Sequence, residues 1–205
     1  MQIFVTNDDG IMAPGLQELA RCVANLGEVI IAAPMEEQSA MGHGITIRDP
    51  IRVKPMNFPG IAKAWAVGGT PADCVKLAMQ ELICEDCVLV ISGINNGPNL
   101  GTDVLYSGTV SAAIEGAIQG LPSIAVSLAS YGAEDYRTAA EIACILAEIT
   151  YRNKDKIPPD TLLNVNIPAV PRSEIKGFRI TKLGNREYTD FFDKRIDPRV
   201  ILISG

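Results

Sequence analysis

Histidine is almost absent from this chain. His43 is the only one, and the cysteines at 22, 74, 84, 87 and 144 are odd in number and scattered. A disulfide framework calls for an even set in an oxidising compartment, and a zinc site calls for thiols or imidazoles paired at set spacings. Cys84-Glu85-Asp86-Cys87 is the one tempting spacing. It has no second Cys or His pair to complete it, so it reads as two partly buried thiols at a helix end. Positive charge is also sparse: 18 Lys and Arg against 24 Asp and Glu leave a formal charge of −6, with no basic run. This argues against nucleic acid duplex as a partner, and a phosphate-bearing ligand would need local help. Long apolar runs are missing as well. Stretches such as Val88 to Ile91 fall far short of a membrane span, and the N-terminus lacks a basic segment followed by an apolar core. No membrane partner is expected, and the chain reads as cytoplasmic. There is no G-x-x-x-x-G-K-[ST] loop and no G-x-G-x-x-G after the first strand, so neither a nucleoside-triphosphate motor nor a classical dinucleotide dehydrogenase is supported.

What is present is an ordinary globular composition, 47% hydrophobic and 20% charged over 205 residues, enough for one well-buried core. Strand-like and helix-like segments alternate, the pattern of parallel strands joined by crossover helices. Strands are expected at Ile3 to Thr6, Val29 to Ala33, Ala64 to Val67, Val88 to Ser92, Ser123 to Ser127, Leu162 to Ile167 and Phe178 to Leu183. Helices are expected from Pro14 to a stop at Gly27, then at Ala72 to Leu82, Thr109 to Gln119 and Asp135 to Arg152. The strands are short and nearly all apolar, as when helices cover both faces of a sheet. "GITIRDPIRVKP" carries two β-branched runs around Asp49-Pro50 and reads as a β-hairpin excursion away from the main sheet, or else as a plain long loop. The fold class is α/β, with a mostly parallel sheet, helices on both faces and this hairpin.

Ligands of open parallel sheets bind beyond the carboxyl ends of the strands, and the polar residues gather there. Asp8 and Asp9 follow the first strand, Gln38 and Ser39 the second, "GGTPADC" the strand at Ala64, and "SGINNGPNLG" the strand at Val88. Adjacent carboxylates at the end of a buried strand repel each other, which implies something positive between them. With nearby amide and hydroxyl oxygens they form an all-oxygen set suited to Mg²⁺ or Mn²⁺, and Gly10 lets the chain turn at once. The plainer alternative is that Asp8 caps the turn and Asp9 is solvated. Ser107-Gly108-Thr109 precedes a helical face made by Val110, Ala113, Ile114 and Ala117, so it stands at a helix N-terminus where an anion is favoured. An ordinary Ser/Thr cap is the plainer reading there. Taken together, the two halves describe a phosphate held between a cation and a helix end, as in metal-assisted phosphoryl hydrolysis. His43 could donate a proton to a leaving group, or be a surface residue.

The residues that carry this chemistry also resemble a known family. "TNDDGIMAPG", Ser39 in "EEQSAMGHGITI", "GTPADCV" and "SGINNGPNLGTDVLYSGTVSAAIEGAIQGLPSIAVS" are similar to the SurE survival-protein family, the stationary-phase 5'/3'-nucleotidases, from residue 1 to about residue 185. The resemblance implies a Rossmann-like α/β domain over residues 1–205. It implies a phosphatase dependent on one divalent ion that acts on nucleoside monophosphates, and in some members on short polyphosphate. It places the metal on Asp8, Asp9, Ser39 and Asn95, and the phosphate on Asn99, Ser107, Gly108 and Thr109. It further implies a homodimer or homotetramer, and a C-terminal segment that continues past "DPRVILISG", the point at which this sequence ends. The expected chemistry is attack by activated water, with Asp8 or Asp9 as proton acceptor. An aspartate nucleophile and a non-catalytic nucleotide or phosphate sensor are the alternatives. On this reading the two halves act separately: Asp8 serves the cation, and the Thr109 hydroxyl serves only the phosphate.

Overall fold

The computed structural model describes residues 2–83 and 87–185. Seven strands form one sheet in the order β3-β4-β2-β1-β5-β6-β7. They are β1 (Gln2–Thr6), β2 (Glu28–Pro34), β3 (Val53–Met56), β4 (Lys63–Val67), β5 (Cys87–Asn96), β6 (Ser123–Leu128) and β7 (Leu162–Ile167). Every pairing is parallel except that of β3 with β4. Helices α1 (Pro14–Val23) and α4 (Arg137–Arg152) cover one face, and α2 (Pro71–Leu77) and α3 (Gly108–Ile118) the other. The alternation of β1 shows how a fully apolar strand serves two cores. Ile3 and Val5 pack under α1 and α4, and Phe4 packs on the α2 side, all fully buried.

Local chemistry explains the helix starts. Pro14 and Pro71 stand in the first turns, where a missing N–H costs nothing, and Thr70 with Asp73 forms a reciprocal capping box for α2. The expected helix 72–82 is α-helical to Leu77 and continues as one wider π-helical turn, Ala78–Leu82. α1 closes at Val23, before Gly27.

Three expectations are corrected. The hairpin forms between β3 and β4 at the edge of the main sheet, Val53 opposite Val67 and Met56 opposite Ala64, not between the two runs flanking Asp49-Pro50. Residues 45–48 form no strand, and the Thr46 N–H and hydroxyl both donate to the Asp73 carboxylate instead, at 2.9 and 2.6 Å. β5 runs on to Asn96, with one extra residue against β6 between Ser92 and Asn95. Gly93 makes that bulge possible: its φ is +136°, and a Cβ would come within 2.3 Å of the Val126 carbonyl oxygen. Finally, Phe178 to Leu183 forms no strand, and Phe178, Ile180 and Leu183 stand exposed. Cys84, and with it half of the Cys84–Cys87 spacing, lies outside the described residues. Among the described residues no helix is long and apolar enough to cross a membrane.

Candidate active site

A cavity of about 740 Å³ opens at the carboxyl edge of the central strands, and Asp8, Asp9, Ser39, Asn95, Asn99 and Ser107 all line it. The turn after β1 is set by Gly10, at φ +99°, whose carbonyl accepts from the Asn7 amide at 3.0 Å. The loop after β2 is tied to it by the Gln38 N–H, which donates to the Asp8 carbonyl at 2.7 Å. The bulge in β5 delivers Asn95 and Asn96 to the same edge.

Asp8 is only 4% exposed. Its Oδ1 accepts a short hydrogen bond from the Thr109 hydroxyl, and its side chain lies so close to α3 that a Cβ on Gly108 would come within 2.7 Å of its own Cβ. Asp9 is half-buried, and its Oδ2 accepts from the Asn96 N–H at 3.1 Å. Burial pushes the Asp8 carboxyl above the ordinary range, against the Thr109 hydroxyl, which pulls the other way. Burial, and then the charge of Asp8, pushes Asp9 up to about 6. Glu37 adds a third carboxylate to the cavity wall and a further upward push on both. Its Oε1 accepts from the Ser39 hydroxyl at 2.5 Å. The Asn95 amide nitrogen donates to the Gly97 carbonyl at 2.7 Å, which leaves the amide oxygen as its cation-binding group.

The donor set fits a divalent cation of the hard kind. Two desolvated carboxylates stand side by side with hydroxyl and amide oxygens, and each carboxylate would be relieved by positive charge. Among the described residues no three His, Cys, Asp or Glu side chains cluster to hold an ion, so neutral oxygens would have to complete the set.

At the anion end Ser107 is the N-cap of α3, its Oγ accepting from the Val110 N–H at 3.1 Å. Gly108 and Thr109 sit behind Asp8 and do not line the cavity. The two halves of the site are therefore joined through the Thr109 hydroxyl, which argues against the expected separation between them. His43 is placed elsewhere, 3.0 Å from the Glu115 carboxylate and off the cavity wall.

Sequence reasoning missed three contributors. Glu37 was assigned no role. Asn164 and Asn166 of β7 hold Asn99 by its main chain: the Asn166 Oδ1 accepts from the Asn99 N–H at 2.8 Å, and both amide nitrogens donate to the Asn99 carbonyl at 3.0 Å. The Asn99 side chain is left to donate to the Ser127 hydroxyl at 2.8 Å. The signal was present in "LLNVNI", where two amides interrupt a strand that should be all apolar.

Fold and site together define a doubly wound α/β protein with a carboxylate-lined, all-oxygen pocket at the carboxyl edge of its sheet. Comparison with known proteins narrows this class. The family model described as Survival protein SurE matches residues 3–190, and the chain belongs to that family. It is 54% identical to the 5'-nucleotidase SurE of Heliobacterium modesticaldum, over 97% of this chain and 73% of that protein. It is likewise 54% identical to the 5'-nucleotidase SurE of Moorella thermoacetica, over 97% of this chain and 76% of that one. Among solved structures, the SurE protein from Aquifex aeolicus superposes with a TM-score of 0.84 at 38% identity, over 97% of this chain and 78% of that chain.

Proposed function

We propose that this chain is a nucleotidase, a phosphohydrolase that releases phosphate from nucleoside 5'- and 3'-monophosphates with one divalent cation, Mg²⁺ or Mn²⁺. The observation that carries the reading is the pairing of Asp8 and Asp9, both pushed toward protonation by burial, in a cavity that also holds Asn95, Asn99 and Ser107. Asp8, Asp9, Ser39 and Asn95 would hold the cation. When bound, it would supply Lewis-acid polarisation of the phosphoryl group and make a water molecule more acidic.

The remaining work belongs to the chain. Asp9, with its exposed edge toward the cavity, accepts the proton of the attacking water. Asp8 is held in one orientation by Thr109 and Gly108 and fixes where the positive charge sits. Ser107, at the N-terminus of α3, and the Asn99 amide face the phosphate and receive the charge that develops on it. The hydrogen bond that engages Asp8 Oδ1, and the crowding of its carboxylate against Gly108, leave it poorly placed as a covalent nucleophile. Short polyphosphate belongs to the same reading, since its terminal group presents the same chemistry. So do a cytoplasmic location, supported by the free thiols of Cys22, Cys74, Cys87 and Cys144, and an assembly of two or four copies, supported by exposed apolar side chains such as Ile47, Leu105 and Ile118.

The test is phosphate release from a panel of 5'- and 3'-nucleoside monophosphates with Mg²⁺ or Mn²⁺. Release that EDTA abolishes is expected. No release from any member by folded, cation-loaded protein would overturn the assignment.

A further inference from the structure

The cavity is far larger than a phosphate needs. Its volume of about 740 Å³ lies within the roughly 300–1,000 Å³ of pockets that enclose a whole small organic ligand. Beside the carboxylates, three tyrosines, Tyr106, Tyr131 and Tyr136, line its wall. Tyr136 is buried, whereas Tyr131 is 71% exposed and Tyr106 is 65% exposed. A large aromatic ring left that open on a cavity wall can stack on a flat partner.

Tyr131 is held in place through its neighbours. It follows β6 in a turn tied down by the Gly132 N–H, which donates to Asn96 Oδ1 at 3.0 Å, while the N–H of Asn96 itself donates to Asp9. The ring lies against Gly97, where a Cβ would come within 2.5 Å of its Cε1 and 2.9 Å of its Cδ1. Gly97 is held in turn by the Asn95 amide and by its own N–H, which donates to the Leu128 carbonyl at 3.1 Å. Absence of a side chain at Gly97 is thus the condition for the ring to stand where it does. The ring is braced at the end of β5, just past Asn95 and Asn96, two hydrogen bonds away from Asp9.

We propose that Tyr131 is a specificity-determining residue that binds the nucleoside half of the substrate by stacking its ring on the base. The inference rests on the nucleotidase reading above and assigns a residue to the part of the substrate that reading leaves unbound. The cavity's charged lining side chains, Asp8, Asp9, Glu37 and Asp103, are all acidic, so a phosphate is drawn to a cation held by Asp8 and Asp9, and a neutral base lies on an aromatic ring of the wall. Stacking reads a π-face and not an edge, so all four bases are accepted, purines more tightly because they cover more ring.

The experiment compares adenosine 5'-monophosphate with ribose 5-phosphate, which keeps the sugar and phosphate and lacks the base. In the wild type the kcat/KM ratio favours the nucleotide. Tyr131→Ala lowers that ratio by about fivefold to a hundredfold, the loss of one base–aromatic stack, and Tyr131→Phe retains it. A matching ratio, adenosine against ribose, neither of which carries a phosphate, is read from dissociation constants by calorimetry in EDTA, where no turnover is needed. If neither compound is hydrolysed but the calorimetric ratio falls in Tyr131→Ala, the nucleotidase reading fails and the stacking role stands. An equal ratio in wild type and Tyr131→Ala, by either measurement, overturns the role of Tyr131.

Discussion

Thr109 concentrates what the structure adds at the scale of single residues. As an N-terminal helix residue it looks like a phosphate contact, yet its hydroxyl is spent on Asp8. Thr109→Val therefore touches the cation half of the site. Without that donor the Asp8 carboxyl rises further, and the cation must compete harder with a proton. The expected outcome is a tenfold to hundredfold loss of Mn²⁺ affinity, the usual cost of removing a partner that orients a ligand, read by calorimetric titration; unchanged affinity with impaired turnover would restore the separable site. Asp9 makes a second prediction. Its carboxyl is pushed up to about 6, so the charged form that a cation needs is present above that pH and disappears below it. Mn²⁺ affinity should fall as pH drops through 6, by about tenfold per unit or more because Asp8 is raised as well, with at least about one proton released per ion bound at pH 5. The two aspartates were legible in the sequence because like charges stood at the end of an apolar run. The role of Thr109 was not, because which side a helix-start hydroxyl faces depends on a strand 101 residues away in the chain.

At the scale of elements, the apolar runs made β1, β2, β4, β6 and β7 readable, and β-branched content alone misplaced the hairpin. Pairing is a contest for N–H groups, and that of Thr46 goes to the capping Asp73. β5 was read as ending at Ser92 because "GINNG" has the composition of a turn. In fact the glycine makes a bulge, and the strand carries on to present Asn95 and Asn96. Phe178 to Leu183 had the composition of a strand but finds no pairing among the described residues, and composition cannot report that. The amides of β7 carry a prediction that belongs to this scale, since a whole strand edge is used to hold one peptide. Asn166→Ala removes both the acceptor for the Asn99 N–H and one donor to its carbonyl, so the amide of Asn99 loses its fixed direction. Turnover should fall about tenfold or more, since small misplacements of positioning groups are costly. Mn²⁺ affinity should stay within about twofold. Asn166→Asp, which keeps the acceptor and adds negative charge near the phosphate, should be worse for turnover than Asn166→Ala.

The whole molecule sets the price of the site in stability. Four strand ends converge because the sheet is parallel through its centre, and that convergence buries two carboxylates where water reaches them poorly. The sign of the effect follows from Asp9. Its pKa is about 6 in the folded chain and about 4 when unfolded, so the fold binds a proton more tightly than the unfolded chain does. That contribution to stability is complete below about pH 4 and is lost as pH rises through 6, leaving the cation-free protein burdened at pH 7.5. Asp9→Asn removes the burden. In EDTA at pH 7.5 it should be more stable than wild type by about 1 kcal/mol, once the shift is discounted for solvent at the exposed edge of Asp9, and at pH 4 the two should converge. Added Mn²⁺ reverses the ranking, because wild type gains about 2.7 kcal/mol at a hundredfold excess over its dissociation constant and the variant gains much less. For a chain of this size that is a rise in thermal midpoint of about 5–11 °C. Thermal unfolding of both proteins, with EDTA and with Mn²⁺, reads all four states; a cation-free wild type at least as stable as Asp9→Asn at pH 7.5 would mean that the paired carboxylates cost the fold nothing.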